Sequence, residues 1–253
     1  MLLRKDITSL LIAIILTYWG CAGNKKEIND RLIAESKYKL GLAYMDDNDI
    51  PPARRELLKA VKLSPDDPKI HNALGRTYVV EREFLMAEKA FNNALTLDPE
   101  FVEAYSMLGY VCMELKKRDK AIEIFQKLLN YQNIPLHYVH NAIGWAYYEK
   151  GEHKKAEEEL SLALRYKDDY PIAHYNLGLA YFGMGKFDLA IKEYKRAIEL
   201  SPEFVMAHNQ LGLLYLKRNN IERAIEEFNK VINLAPDSKM AATSKKYLDL
   251  IGR

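Results

Sequence analysis

Apolar and small residues recur along this chain in paired helical stripes. The cleanest example is Pro171–Phe204, PIAHYNLGLAYFGMGKFDLAIKEYKRAIELSPEF. Leu177, Gly178 and Tyr181 fall on one stripe, and Ala190, Tyr194 and Ala197 fall at i, i+4 and i+7 on a second. Both follow the 3.6-residue helical period, so the stretch predicts two amphipathic helices. Gly178 and Ala190 are small enough to let the helices approach closely, and Tyr181 and Tyr194 fill the space beside them. Gly185 supplies the intervening turn and Pro202 ends the second helix.

The same register recurs six times. The glycine slot holds Gly41, Gly75, Gly109, Gly144, Gly178 and Gly212, in steps of 34, 34, 35, 34 and 34 residues. Three residues later come Tyr44, Tyr78, Tyr147, Tyr181 and Tyr215, with Cys112 as the exception. The second small slot holds Ala53, Ala87, Ala121, Ala156, Ala190 and Ala224; four residues on stand Leu57, Phe91, Phe125, Leu160, Tyr194 and Phe228. Pro65, Pro99, Pro202 and Pro236 close their units. This pattern resembles the tetratricopeptide repeat. The resemblance implies an all-α fold, a right-handed superhelical solenoid of six helix hairpins in which each unit contacts its neighbours. The expected units are 34–67, 68–101, 102–136, 137–170, 171–204 and 205–238, followed by a capping helix over 239–253 that offers Ala242, Leu248 and Ile251 to the last unit. Unit three carries one extra residue and an atypical closing turn, NYQNIP, and unit four has Asp168 where the closing proline would stand. The centre is therefore expected to be the least regular part.

The N-terminus departs from the repeats. Arg4 and Lys5 precede an almost continuously apolar run, Ile7–Trp19, of 13 residues. That is too short to settle across the roughly 30 Å hydrocarbon core and suits the h-region of a signal peptide. The run ends in Gly20-Cys21, which resembles a bacterial lipoprotein signal: residues 1–20 removed, Cys21 lipidated, and residues 21–33 forming the anchor and a polar tether. Tyr18, Trp19 and Asp6 depart from that pattern. An uncleaved anchor and ordinary secretion are the other two readings. With Ala22 rather than Asp after the cysteine, lipoprotein sorting points to the outer membrane, facing the periplasm. Several acyl chains would anchor the protein stably.

Charge and chemistry narrow the function. Charged residues make up 28% of the chain, but the net charge is only +2 and both signs are interleaved, so no nucleic-acid partner is expected. Cys21 and Cys112 do not form a disulfide framework, and Cys112 is read as a buried small hydrophobe. His71, His140, His174 and His208 share one slot four residues before the glycine. Equivalent slots in successive repeats lie about 10 Å apart, too far to share one zinc ion, so a packing role is expected. The chain carries no phosphate loop, HExxH or nucleophile elbow. No enzyme activity, cofactor or metal is expected.

In such repeats the first helices line the concave face. Tyr110, Met113, Trp145, Tyr148, Tyr175, Leu179, Phe182, Leu213 and Leu216 are placed there, giving repeats three to six an apolar, aromatic groove; Tyr38, Leu42, Met45, Asn72, Arg76 and Val79 make a more mixed surface earlier. An apolar groove of this kind fits a protein or peptide segment, although the same residues could equally pack on the next repeat. The early first-helix slots hold Glu35, Lys69, Glu103, Tyr138, Ile172 and Met206, a set that would not clamp a chaperone C-terminal carboxylate.

A lipoprotein signal, a short tether, six repeats and a capping helix together resemble the type IV pilus biogenesis lipoproteins called pilotins. YKLGLAY at Tyr38–Tyr44 and HNALGRTY at His71–Tyr78 are similar to their opening repeats, and the irregular join at Tyr131–His137 falls in the corresponding place. The resemblance implies a lipid-anchored scaffold that binds the pilus secretin and assists its assembly in the outer membrane. Two other readings are a repeat lipoprotein serving another envelope complex and a recruiting subunit for a separate enzyme.

Overall fold

The computed structural model describes residues 26–252, and among these it contains thirteen helices and no strand. The expected signal segment, Cys21 and residues 22–25 lie outside the described residues. Two compact units divide at Leu115, inside the third hairpin.

The first unit holds α1 (residues 26–46), α2 (Ile50–Leu63), α3 (Pro68–Val80), α4 (Phe84–Leu97) and α5 (Val102–Glu114). The second holds α6 (Arg118–Leu128), α7 (Leu136–Glu149), α8 (His153–Tyr166), α9 (Pro171–Gly183), α10 (Phe187–Leu200), α11 (Val205–Lys217), α12 (Ile221–Leu234) and α13 (Lys239–Ile251). Within each unit, helices adjacent in sequence pack together from α2 to α5 and from α6 to α13, and α3 touches α5 as α7 touches α9.

Small residues set how closely these helices approach. A Cβ added at Gly178 would lie 2.5 Å from Tyr194 Cε1, one at Gly144 would lie 2.6 Å from Leu160 Cγ, and one at Gly41 would lie 2.7 Å from Leu57 Cγ. The large residue of the second helix therefore seats on the glycine of the first. Each hairpin then turns through one left-handed residue: Asn48, Arg82, Lys116, Gly151, Gly185 or Asn219. In five of the turns the residue after it donates its N–H to the carbonyl of the repeat tyrosine, as Lys186 does to Tyr181 at 2.9 Å. This satisfies a carbonyl that the helix end would leave free.

Two details differ from the sequence expectation and a third agrees with it. Residues 26–33, expected to belong to the tether, are helical and lengthen α1 by two turns. Glu27 and Arg31 pair at 3.1 Å one turn apart, and Arg31 also reaches Asp66 at 3.0 Å, which favours helix over extended chain. On α13, Ala241 and Ser244 are buried while Ala242 is exposed; Leu248 and Ile251 do pack on the preceding core, and Tyr247 stacks on Phe228 at 5.3 Å. Ser238 caps this helix by accepting from the Ala241 N–H, which fixes the phase. The irregular stretch after α6 is real: α6 has 11 residues where the other second helices have 14, and Asn133 adopts φ 62° in the loop that follows.

Candidate protein-binding surface

The nine residues placed in the groove by sequence divide by burial. In the second unit, α7 contributes Trp145 and Tyr148, α9 contributes Tyr175, Leu179 and Phe182, and α11 contributes Leu213 and Leu216; all seven belong to or pack against one apolar cluster. Trp145 and Tyr148 are half-buried and stack on each other at 5.2 Å, as expected for residues three apart on a helix. Phe182 is also half-buried and tilts against Phe187 at 5.7 Å, and the Lys217 ammonium lies 5.9 Å from the Phe182 centroid and 5.3 Å from that of Phe187. Leu213 and Leu216 remain half-buried on α11. These five side chains form an apolar surface with one cation over its aromatic rings.

Tyr175 and Leu179 are a correction. They are only 8% and 5% exposed and fill the core between successive hairpins. Tyr175 lies 5.1 Å from Phe204 and 6.0 Å from Tyr194. Burial pushes its phenol pKa up, an effect partly offset by its hydrogen bond with Gln210. The i, i+4 spacing that puts these two residues on one side of α9 is also the side that the next hairpin covers. Burial likewise raises the Tyr148 phenol, with Glu149 adding to it.

In the first unit, Tyr110 is 42% exposed and meets Phe84 edge-on at 6.4 Å, while Met113 is half-buried. Burial and then the Glu114 charge raise the Tyr110 phenol. Of the more mixed early set, Asn72 is buried rather than displayed, and its amide oxygen has no hydrogen-bond partner. Cys112 is fully buried in α5.

Three of the four periodic histidines are structural clasps. His140, His174 and His208 each place Nδ1 against a glutamate of the paired second helix: Glu159 at 2.7 Å, Glu193 at 2.7 Å and Glu227 at 2.6 Å. On the other side of the ring, Nε2 of His174 meets the Asp168 carbonyl at 2.9 Å and that of His208 meets the Pro202 carbonyl at 3.0 Å. A neutral imidazole can donate from only one nitrogen, so two acceptors favour the doubly protonated ring. Burial opposes the charge on both rings. The carboxylate and carbonyl outweigh it, and the pKa of His174 and of His208 is raised above the ordinary value. His140 stacks on Tyr166 at 5.5 Å. Sequence reading missed the glutamates, although each stands 19 residues after its histidine. It also missed the buried Asn176–Asn141 hydrogen bond, 2.9 Å long, which joins α9 to α7.

Tetratricopeptide repeat models match residues 72–136 and 175–239, and residues 37–79 and 144–185. Among solved structures the chain is similar to PilW, a widely conserved type IV pilus biogenesis factor, with a TM-score of 0.74 and 19% identity over 83% of this chain and 97% of that one. It is similar to Pseudomonas aeruginosa PilF with a TM-score of 0.68 and 17% identity over 87% and 99% of the two chains. At those identities the likeness is one of fold. Among curated proteins, the BBSome complex member BBS4 of Bos taurus is 29% identical over 148 residues, which are 58% of this chain and 25% of that protein. The chain spans a quarter or less of the length of the curated relatives it matches. Repeats of this kind bind protein or peptide partners. With hairpins of fixed register, glycine-seated aromatics and matching repeat models over most of its length, the chain belongs to the tetratricopeptide repeat family.

Proposed function

We propose that this protein is a lipid-anchored scaffold of the cell envelope that assists secretin assembly for a type IV pilus. The observation that supports this reading is the likeness of fold to PilW over 83% of this chain and 97% of that one. The Gly20-Cys21 junction supports it by supplying a means of attachment to the outer membrane. In this reading the lipid on Cys21 localises the scaffold. The half-buried aromatic surface of α7, α9 and α11 holds a segment of the secretin through apolar anchors.

Affinity capture of the secretin tests the surface. Trp145→Ala combined with Phe182→Ala is expected to lower secretin recovery at least tenfold, the loss of roughly 1.4 kcal/mol or more expected for two aromatic anchors. Recovery equal to wild type would overturn the assignment of this surface. Radiolabelled palmitate is expected to label the wild type and not Cys21→Ser; labelling that persists would overturn the anchor. Capture of a different envelope complex, with no secretin, would replace the pilus reading by a scaffold for that complex.

A further inference from the structure

His71 occupies the clasp slot without a clasp. Its Nε2 meets the Pro65 carbonyl at 2.8 Å, the contact that His174 and His208 make six residues upstream of themselves. That shared contact fixes the ring the same way round. In the other three repeats Nδ1 then meets a glutamate 19 residues later, but here that position is Ala90. No described residue partners His71 Nδ1, although the residue is only 7% exposed.

The missing carboxylate leaves space. A cavity of about 170 Å³ opens at this point, with His71, Ala90 and Tyr78 among its walls. Val61 from α2 and Leu74 from α3 make it apolar. Met86, Lys89 and Asn93 from α4 form its exposed rim. Lys89 is the charged group of the lining, so the cavity combines a cation at its mouth with a histidine in its wall whose Nδ1 no described residue partners.

We propose that this cavity is a docking site for an acidic side chain of a protein partner. The partner's carboxylate would take the place that Glu159, Glu193 and Glu227 fill from within the chain. The Pro65 carbonyl accepts from Nε2–H, so a carboxylate at Nδ1 would bring with it the second ring proton that lets Nδ1 donate, and Lys89 attracts it from the rim. Met86, 50% exposed, and its neighbour Leu85, 69% exposed, provide apolar contact for the residues flanking the acid, which fits a protein segment better than a free small acid. The site lies within the first unit and does not rest on the aromatic surface of the second.

The test uses the intact protein with isotope-labelled histidine, observed by NMR near pH 6. The probes are two capped tripeptides, acetyl-Ala-Glu-Ala-amide and acetyl-Ala-Gln-Ala-amide, which differ in charge but hardly in shape. The glutamate peptide is expected to shift the His71 ring signals saturably and to bind roughly tenfold tighter than the glutamine peptide, the factor that one charge-assisted hydrogen bond supplies. Ala90→Glu is expected to abolish the shift, because the chain's own carboxylate then fills the site. Lys89→Met, at an exposed position, is expected to weaken the glutamate peptide severalfold with the fold intact. Equal binding of the two peptides, or an undiminished His71 shift in Ala90→Glu or in Lys89→Met, would overturn the proposal.

Discussion

Replacing Glu193 or Glu227 by Gln should destabilise the protein in acid far more than in alkali. The clasps hold imidazolium between a carboxylate and a carbonyl, at 2.7 and 2.9 Å for His174 and at 2.6 and 3.0 Å for His208. Glutamine keeps the shape but removes the charge. A hydrogen bond to a charged group contributes about 1.5–3 kcal/mol, and the residues here are shielded enough from solvent to retain most of that. The sign follows from linkage. Burial lowers the histidine pKa, but Glu193 with the Asp168 carbonyl, and Glu227 with the Pro202 carbonyl, raise it further than burial lowers it. Arg196 beside His174 and Lys230 beside His208 take back only part of the gain. A histidine whose folded pKa is raised contributes its stability in full below the unfolded value of about 6.5, and loses it as pH rises through the folded value. Each Glu→Gln change should therefore cost about 1.5–3 kcal/mol near pH 5.5 and less than about 1 kcal/mol near pH 9. For a chain of this size each kcal/mol moves Tm by roughly 2–4 °C. Thermal unfolding followed by far-UV circular dichroism at the two pH values measures the difference. An equal loss at both pH values would refute the argument, since it would mean that the glutamates act by packing alone.

Three further changes probe the hairpins. Gly178→Ala would place a Cβ 2.5 Å from the Tyr194 ring, and overpacking of about 1–3 kcal/mol should outweigh the roughly 1 kcal/mol gain in helix propensity, lowering the urea midpoint. A raised midpoint would show that the ring moves aside freely. Tyr194→Phe should hold stability or raise it by about 1 kcal/mol, because the hydroxyl is buried without a partner and burial drives its pKa upward. A loss above that size in the same titration would reveal a bonded hydroxyl. Lys116→Gly should stabilise by about 0.5–1 kcal/mol, since lysine at φ 59° bears a left-handed strain that glycine does not. A lowered urea midpoint would contradict that.

The hairpins were legible because their determinants are local and repeated. Glycine, tyrosine, alanine and a large residue return at one spacing, and the spacing alone places Tyr194 over Gly178 and Leu160 over Gly144. Turn positions were legible where the residue is suited to the left-handed region, as at Gly185. Arg82 and Lys116 occupy the same conformation with no such preference and are found only by register. The candidate surface was less legible. Helical spacing says which side of α9 carries Tyr175, Leu179 and Phe182, but not how far the next hairpin reaches across it. Phe182 stands one turn nearer the open end of the helix and stays half-buried, while the other two are covered. The clasp glutamates escaped notice because a 19-residue spacing belongs to no single helix. It emerges only when two helices pair.

The most direct test of client binding through the second unit is site-specific photocrosslinking. A photoreactive residue replaces Phe182 in cells that assemble pili, with Leu189, exposed on α10 of the same unit, as the comparison position. A discrete adduct containing the secretin from position 182, with little or none from 189, is the outcome expected of a scaffold that holds its client on α7, α9 and α11. Secretin adducts from position 189 and none from 182 would contradict it.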